Sequence, residues 1–177
     1  MEDRLIVGLA GRIGSGKTTA AVHLAVQHGF TRHRFAAPLK NMMRCLGLSE
    51  DQVDGDRKET PCFLLGDKSP RYAMQTIGTE WGRDMIHPDL WIRAWRETMP
   101  ASARIVVEDV RFENEAAAIR RSGGLLIRIG RDAVVRSDHQ SEFQDFAVDA
   151  FVENNGSHPD LYRVVVDAIQ EHRGVLL

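Results

Sequence analysis

The residues best suited to chemistry form a glycine-rich segment near the start of the chain. Residues 11–18 read Gly-Arg-Ile-Gly-Ser-Gly-Lys-Thr, which is a complete G-x-x-x-x-G-K-[ST] pattern. In such a loop the glycines let backbone N–H groups turn inward around an anion, and the N-terminus of a following helix adds its positive dipole end. The pattern predicts a site for the triphosphate of a nucleotide, and the alternative is an ordinary glycine turn.

The elements around this segment are those that would position it. Leu5–Ala10 is a short apolar run, typical of a parallel strand buried on both faces, and Lys17–His28 reads as a helix. We expect the Lys17 ammonium to reach the β- and γ-phosphates and the Thr18 hydroxyl to coordinate Mg²⁺. The predicted nucleotide-binding residues here are Gly11, Arg12, Ile13, Gly14, Ser15, Gly16, Lys17, Thr18 and Thr19.

A second group of candidates follows a strand expected at residues 104–110. Asp109 lies at its carboxyl end, where open parallel sheets bind ligands, so it is the candidate metal-side acid beside Thr18. The alternative for such an Asp is a helix cap or a turn. Phosphoryl transfer also requires converging positive charge. Arg111, Arg131 and Arg136 are candidates for that charge, although most surface arginines only solvate a face.

The rest of the chain alternates between strand-like and helix-like segments. Further strands are expected at 31–35, 125–130 and 150–152, and further helices at the segment opened by Pro38, in two parts between 70 and 99, and at 113–121 and 158–172. The two parts should separate near His87 and Pro88. Residues 49–69 carry no clear pattern. Trp81 and Trp95 are expected in the core, as large aromatics usually are.

Composition limits the classes of protein that remain. The chain has 177 residues, 43% of them hydrophobic, and a formal net charge of −2, which suits one globular domain without a global basic field. Cys45 and Cys62 lack C-x-x-C spacing and read as reduced thiols. The acidic start leaves no room for a signal peptide, and no apolar run reaches membrane-spanning length. We expect a cytoplasmic protein with neither nucleic acid polymer nor membrane as partner.

The alternation of strands and helices predicts an α/β fold with a five-stranded parallel sheet and right-handed crossovers. A GTPase would need an Asn-Lys-x-Asp segment, which the sequence lacks, and a RecA-like motor would place an acid where Val110 stands. A small chain with a helical excursion between its second and third strands, and a polar segment after the fourth, instead has the layout of a nucleoside monophosphate kinase. The expected architecture is the three-layer P-loop NTPase fold with a helical acceptor-binding insertion and a short lid.

Several segments together resemble one family, the deoxynucleoside monophosphate kinases typified by bacteriophage enzymes. The phosphate loop alone is unspecific, but the other segments follow it in family order over nearly the whole chain. They are Phe-Ala-Ala-Pro-Leu-Lys at 35–40, Gln-Thr-Ile-Gly-Thr-Glu-Trp-Gly-Arg at 75–83, Asp-Val-Arg-Phe-Glu-Asn-Glu at 109–115, His-Gln-Ser-Glu at 139–142 and Asn-Asn-Gly at 154–156.

The resemblance implies transfer of the ATP γ-phosphate to a deoxynucleoside monophosphate, with Mg²⁺ required. It implies one kinase domain, 1–177, made of a core (1–35, 100–130 and 147–177), an acceptor-binding region (36–99) and a lid (131–146). Arg131 and Arg136 would be lid cations that act in catalysis with Lys17 and Asp109, and Arg83 would hold the acceptor phosphate. The residues implied at the acceptor are Lys40, Gln75, Arg83, Trp91, Asp109 and Arg111.

Other assignments implied by the resemblance keep an alternative. Asn155 and Gly156, with Asn154 before them, would hold the adenine, or they form a plain Asn-Gly turn. His139 and Glu142 would fix the lid rather than act in catalysis. The choice of base stays open, a homodimer is one candidate assembly, and a phage origin would place the protein in the host cytoplasm. The competing functions are phosphorylation of another small acceptor, such as dephospho-coenzyme A, and a non-catalytic ATP-binding switch.

Overall fold

The apolar run at the start of the chain forms the central strand of a parallel sheet. The computed structural model describes residues 4–132, 146–174 and 177. Its strands are β1 (Leu5–Ala10), β2 (Thr31–Arg32), β3 (Arg104–Val107), β4 (Leu125–Gly130) and β5 (Ala150–Glu153). They lie in the order β2-β3-β1-β4-β5, and every neighbouring pair is parallel. The predicted five-stranded parallel sheet is confirmed.

The helices of the described residues follow the predicted alternation. They are α1 (Lys17–His28), α2 (Ala37–Cys45), α3 (Glu50–Val53), α4 (Pro70–Thr76), α5 (Leu90–Glu97), α6 (Glu113–Arg121) and α7 (His158–Arg173). None of the helices in this part of the chain is long and apolar enough to cross a membrane.

The chain divides into two compact units, the first formed by Met1–Arg34 with Met99–Leu177 and the second by Phe35–Thr98. The second unit differs by one residue at each end from the region that the resemblance assigned to the acceptor, and that assignment stays a prediction.

In the first unit, helices cover both faces of the sheet. Side chains that alternate along β1, such as Leu5, Val7 and Leu9, form one core with α1 and α7. On the other face, α6 packs against β1 and β4 and buries Ile119. Because both faces are covered, all six residues of β1 are buried, which explains its continuous apolar run.

The second unit holds its own core. Trp95 is completely buried and its ring lies 4.9 Å from that of Phe35, as the sequence predicted for a core tryptophan. Trp81, also expected in the core, is 39% exposed, so that expectation was wrong. The adjacent Gly82 packs closely against Trp91, since a Cβ at Gly82 would lie 2.7 Å from the Trp91 ring.

The unassigned segment and several element ends also differ from simple patterns. Residues 49–69 contain α3, begun by a capping box between Ser49 and Gln52, and two 3₁₀ turns, Asp56–Glu59 and Phe63–Leu65. The helix after Thr76 continues in π geometry as Ile77–Ile86, and it ends at the extended residue His87 before Pro88, as predicted. β2 and β3 are both shorter than expected, and β3 ends two residues before Asp109.

Candidate functional site

The predicted phosphate loop connects β1 to α1 in the first unit. Three of its glycines adopt positive φ angles: 139° at Gly11, 77° at Gly14 and 103° at Gly16. This left-handed region strains any residue with a side chain. At Gly16 the glycine is needed a second time, since a Cβ would lie 2.5 Å from the Asn154 side chain. The loop therefore has the backbone of an anion-binding nest at a helix N-terminus.

Lys17 begins α1 and its ammonium turns back over the loop. Nζ donates to the carbonyl oxygens of Gly11 and Arg12, the second at 2.7 Å. The first turn of α1 contains no acidic residue, so its exposed N–H groups face no neighbouring carboxylate from that turn. A cation and a helix N-terminus thus meet at the same end of one short loop, which favours a bound anion.

Two buried polar side chains lie at the loop, Ser15 within it and Asn154 in contact with it. Ser15 is 1% exposed, and its Oγ has no hydrogen-bond partner among the described residues. The backbone carbonyl of Ser15 accepts a 2.9 Å hydrogen bond from Nδ2 of Asn154, which is 6% exposed. Asn154 was predicted only with its neighbours at the adenine; its contact with the loop joins residues 139 positions apart and leaves no local pattern.

The carboxyl end of β3 places acids at the same edge of the sheet as the loop. Gly8 pairs with Val107, the last residue of β3, and Asp109 follows two residues later, at the edge of the sheet where β1 leads into the loop. Asp109 is half-buried in a turn. Its neighbour Glu108 is 4% exposed and accepts from Arg32 at the end of β2, with Nε to Oε2 at 2.9 Å. Sequence reasoning missed this pair, since only the β2–β3 pairing brings it together.

Arg111 lies at the start of α6, where an acid fixes the backbone. Glu115 is buried, and its Oε2 accepts from the backbone N of Arg111 at 2.8 Å and of Phe112 at 3.1 Å. This is one half of a capping box, which the Glu three residues into the helix could have revealed. The backbone at Arg111 and Phe112 is therefore held by a buried carboxylate.

In the second unit, Lys40 forms an ion pair with Asp54, whose other oxygen accepts from Arg44 at 2.7 Å. Arg44 also binds Glu50 through two nitrogens. The Glu50 carboxylate, helped by Asp54, raises the pKa of Arg44, and the Arg44 guanidinium in turn lowers the pKa of Glu50. Lys40 thus belongs to a charged network on α2 and α3, and its contact with an acceptor stays a prediction.

The remaining acceptor candidates of the second unit lie on the π-helical segment and its neighbours. Trp91 is buried and its indole N–H donates to the carbonyl of Gly78 at 2.8 Å. The Arg83 guanidinium donates to the carbonyl of Pro88 at 3.2 Å. Gln75, near the end of α4, is half-buried. These contacts define how the unit holds the side chains, and their role toward a substrate stays a prediction.

Asn155 occupies a different environment from Asn154. It is exposed, its Oδ1 accepts from the backbone N of Asp132 at 3.0 Å, and its Nδ2 donates to the Asp132 carboxylate at 2.9 Å. Arg131, the preceding lid candidate, is exposed. Arg136, His139 and Glu142 lie outside the described residues. Within the described residues, no group of three or more His, Cys, Asp or Glu side chains could hold a metal by itself.

Comparison with known proteins connects this geometry to kinases. The chain is 34% identical over 186 aligned positions, 93% of its own length and 96% of the other's, to a protein of Acanthamoeba polyphaga mimivirus whose provisional name is deoxynucleotide monophosphate kinase. It is 30% identical over 105 residues to the deoxynucleoside-5′-monophosphate kinase of Escherichia phage T5. This alignment covers 54% of this chain and 42% of that protein. No protein-family model matches the chain.

Similarity to solved structures agrees on the fold. Shikimate kinase from Acinetobacter baumannii superposes with a TM-score of 0.51 at 12% identity, covering 97% of this chain and 96% of the other. A protein from Chloroflexus aurantiacus described provisionally as a kinase gives a TM-score of 0.52 at 13% identity over 97% and 98%. At these identities the likeness establishes the P-loop kinase fold alone.

Proposed function

The chain belongs to the deoxynucleotide monophosphate kinase family, and we propose that it transfers the γ-phosphate of ATP to a deoxynucleoside 5′-monophosphate. The observation that carries the proposal is the loop between β1 and α1, where left-handed glycines, the Lys17 ammonium and a helix N-terminus converge. Backbone amides and a cation are what a triphosphate requires, because its transfer depends mainly on positioning and neutralised charge.

Lys17 would exchange its loop carbonyls for phosphate oxygens when ATP is bound. The carbonyls of Gly11 and Arg12 hold Nζ at the loop, where the β- and γ-phosphates are proposed to bind. Arg131 and Arg136 are the proposed cations for charge that develops on the transferred group. Asn155 and Gly156 are proposed to border the adenine.

The residues present fit a magnesium ion that arrives with the nucleotide. Thr18, the second residue of α1, and Asp109, two residues after the end of β3, would supply one hydroxyl and one carboxylate. Mg²⁺ commonly keeps several waters and uses one or two protein groups with substrate phosphates, so a larger cluster of acids is not required. When bound, the ion would offset the charge of the phosphate oxygens.

The residues proposed to bind the acceptor are given for each unit by itself. From the second unit these are Lys40, Gln75, Arg83 and Trp91, with Arg83 binding the acceptor phosphate through its planar guanidinium. From the first unit they are Asp109 and Arg111. The acceptor phosphate is already a nucleophile at neutral pH, so none of these residues needs to act as a general base.

Two alternatives make different predictions for the same protein. A kinase for dephospho-coenzyme A would use the same core, and an ATP-binding switch would bind ATP without transfer. Neither is favoured by the relatives found. ATP and a deoxynucleotide are thus the proposed partners. A reducing cytoplasm is the proposed location, since Cys45 and Cys62 are both free thiols.

A coupled assay of ADP formation tests the proposal. The protein is incubated with ATP, Mg²⁺ and one acceptor at a time. The acceptors are dTMP, dGMP, dCMP, dAMP, the four ribonucleoside 5′-monophosphates and dephospho-coenzyme A. We expect ADP and the matching deoxynucleoside diphosphate to form together with at least one deoxynucleotide. Turnover with dephospho-coenzyme A alone would support the first alternative, and ATP binding without turnover of any acceptor would support the second.

A further inference from the structure

Asn154 is one of the few buried polar side chains among the described residues, and it lies directly after β5. Its backbone N donates to the carbonyl of Gly130 at 2.8 Å, which extends the pairing of β4 and β5 by one residue. The side chain is 6% exposed. A buried carboxamide requires hydrogen-bond partners, so the contacts of this one are informative.

The Asn154 carboxamide reaches the phosphate loop from below. Nδ2 donates to the backbone carbonyl of Ser15 at 2.9 Å, and it occupies the space that a side chain at Gly16 would fill. Both contacts involve one peptide unit, the one that joins Ser15 to Gly16. Asn154, which follows the edge strand β5, therefore holds the peptide between Ser15 and Gly16.

Holding the carbonyl fixes the amide. The described peptide bonds are all trans, and in a trans peptide the C=O and the following N–H point in opposite directions. With the Ser15 carbonyl directed at Asn154, the Gly16 N–H is directed away from Asn154. We propose that Asn154 is a positioning residue that aims the Gly16 N–H at the phosphates of bound ATP. This inference rests on the proposed function of the loop as a triphosphate site.

The neighbouring asparagine does not share this role. Asn155 is exposed and joins Asp132, whereas Asn154 is turned inward to Ser15. The sequence resemblance places both residues, with Gly156, beside the adenine. If Asn154 held the adenine, its loss would weaken only ligands that carry a base. If it aims the Gly16 N–H at phosphate, its loss would also weaken a polyphosphate that has no base.

The experiment compares ATP with inorganic tripolyphosphate. Calorimetric titration of wild type, Asn154→Leu and the control Glu153→Gln gives the dissociation constant for each ligand. Leu has as many side-chain heavy atoms as Asn but cannot donate, and Glu153 is the exposed neighbour on β5. In Asn154→Leu the Gly16 N–H is no longer held toward the phosphates, and the loss of its hydrogen bond to a charged group weakens binding by about 10- to 100-fold. We therefore expect that loss for both ligands in Asn154→Leu and wild-type affinity in the control.

Kinetics add a measurement that general loosening of the fold would not reproduce. In Asn154→Leu the KM for ATP should rise by about 10-fold or more while the KM for the deoxynucleotide acceptor stays near wild type. Thermal unfolding confirms that the variant is folded at the assay temperature. If it is not, Asn154→Ala, which removes the donor without adding bulk, takes its place in both measurements.

Each outcome decides between the assignments. Weakened binding of both ligands supports the positioning role. Weakened binding of ATP with unchanged binding of tripolyphosphate overturns it and assigns Asn154 to the base, and unchanged binding of both overturns it outright. Failure of the wild-type protein to bind either ligand refutes the proposed function of the loop, and the inference with it.

Discussion

For the ion pair between Arg32 and Glu108, we predict that replacing Arg32 destabilises the fold more than replacing Glu108 does. Glu108 is 4% exposed and Arg32 is 33% exposed. Removal of one partner from a buried pair leaves an uncompensated charge and destabilises by about 3–5 kcal/mol, but a remaining charge that reaches water is penalised much less. The cost should therefore depend on which partner is left behind.

Arg32→Met leaves the buried carboxylate without its guanidinium, and we expect a loss near the lower part of that range, about 3–4 kcal/mol. Glu108→Gln leaves a guanidinium that is one-third exposed and an amide oxygen that still accepts one hydrogen bond, so we expect about 1–2 kcal/mol. At about 2–4 °C per kcal/mol for a chain of this size, Tm should fall by about 10 °C in the first variant and by about 5 °C in the second.

Thermal unfolding followed by circular dichroism at pH 7 tests the order. Arg163→Met is the matched control, because Arg163 and Asp167 form an exposed pair, 65% and 49% exposed, which contributes about 0–0.5 kcal/mol. The double variant Arg32→Met/Glu108→Leu should be more stable than Arg32→Met alone, since no buried charge remains. Equal losses in the two single variants, or a double variant no more stable than Arg32→Met, would refute the reasoning.

Three further predictions concern the proposed site and the last helix. Lys17→Ala should lower kcat/KM by about 100-fold or more in the coupled assay, because the phosphates lose their cation, whereas Lys68→Ala, on the exposed surface, should not. Arg83→Ala should raise the KM of the acceptor more than that of ATP, and equal increases would remove Arg83 from the acceptor site. Hydrogen bonds from Ser157 lower the pKa of Asp160, so its stabilising contribution is present above the ordinary pKa and is lost as pH falls through the lowered value. Asp160→Asn should therefore narrow the difference in Tm between pH 6 and pH 3, and an unchanged difference would contradict this.

Local patterns were sufficient for the parts of the fold that local physics determines. The bounds predicted for β1, α1, α6 and β4 agree with the structure. Apolar runs, helical periodicity and a glycine at the end of a helix all reflect interactions between residues close in sequence. The apolar pattern misled at β3. Val110 is completely buried, yet the strand ends at Val107, because hydrophobicity reports burial rather than backbone conformation. The π geometry of Ile77–Ile86 has no distinct composition and was not predicted.

The supports of the candidate site were harder to predict than its central residues. The sequence names Lys17 and Thr18 because their spacing from the glycines is fixed by one loop. Arg32 and Glu108 are 76 residues apart, and Asn154 and Ser15 are 139 apart, so their contacts exist only after the sheet order is set. The order β2-β3-β1-β4-β5 puts β3 on one side of β1 and β4 on the other, with β5 beyond β4.

That same order explains why the supports lie where they do. All five strands are parallel, so their carboxyl ends, and the residues that follow them, lie at the same edge of the sheet as the loop. β3 delivers Glu108 and Asp109 there, and β5 delivers Asn154. Each of these residues follows its strand by one or two positions, which is close enough for the strand to fix its backbone. A polar residue just after a strand of such a sheet is therefore a candidate support for the loop even when it touches no ligand, and Asn154 is the case in which this distinction can be measured.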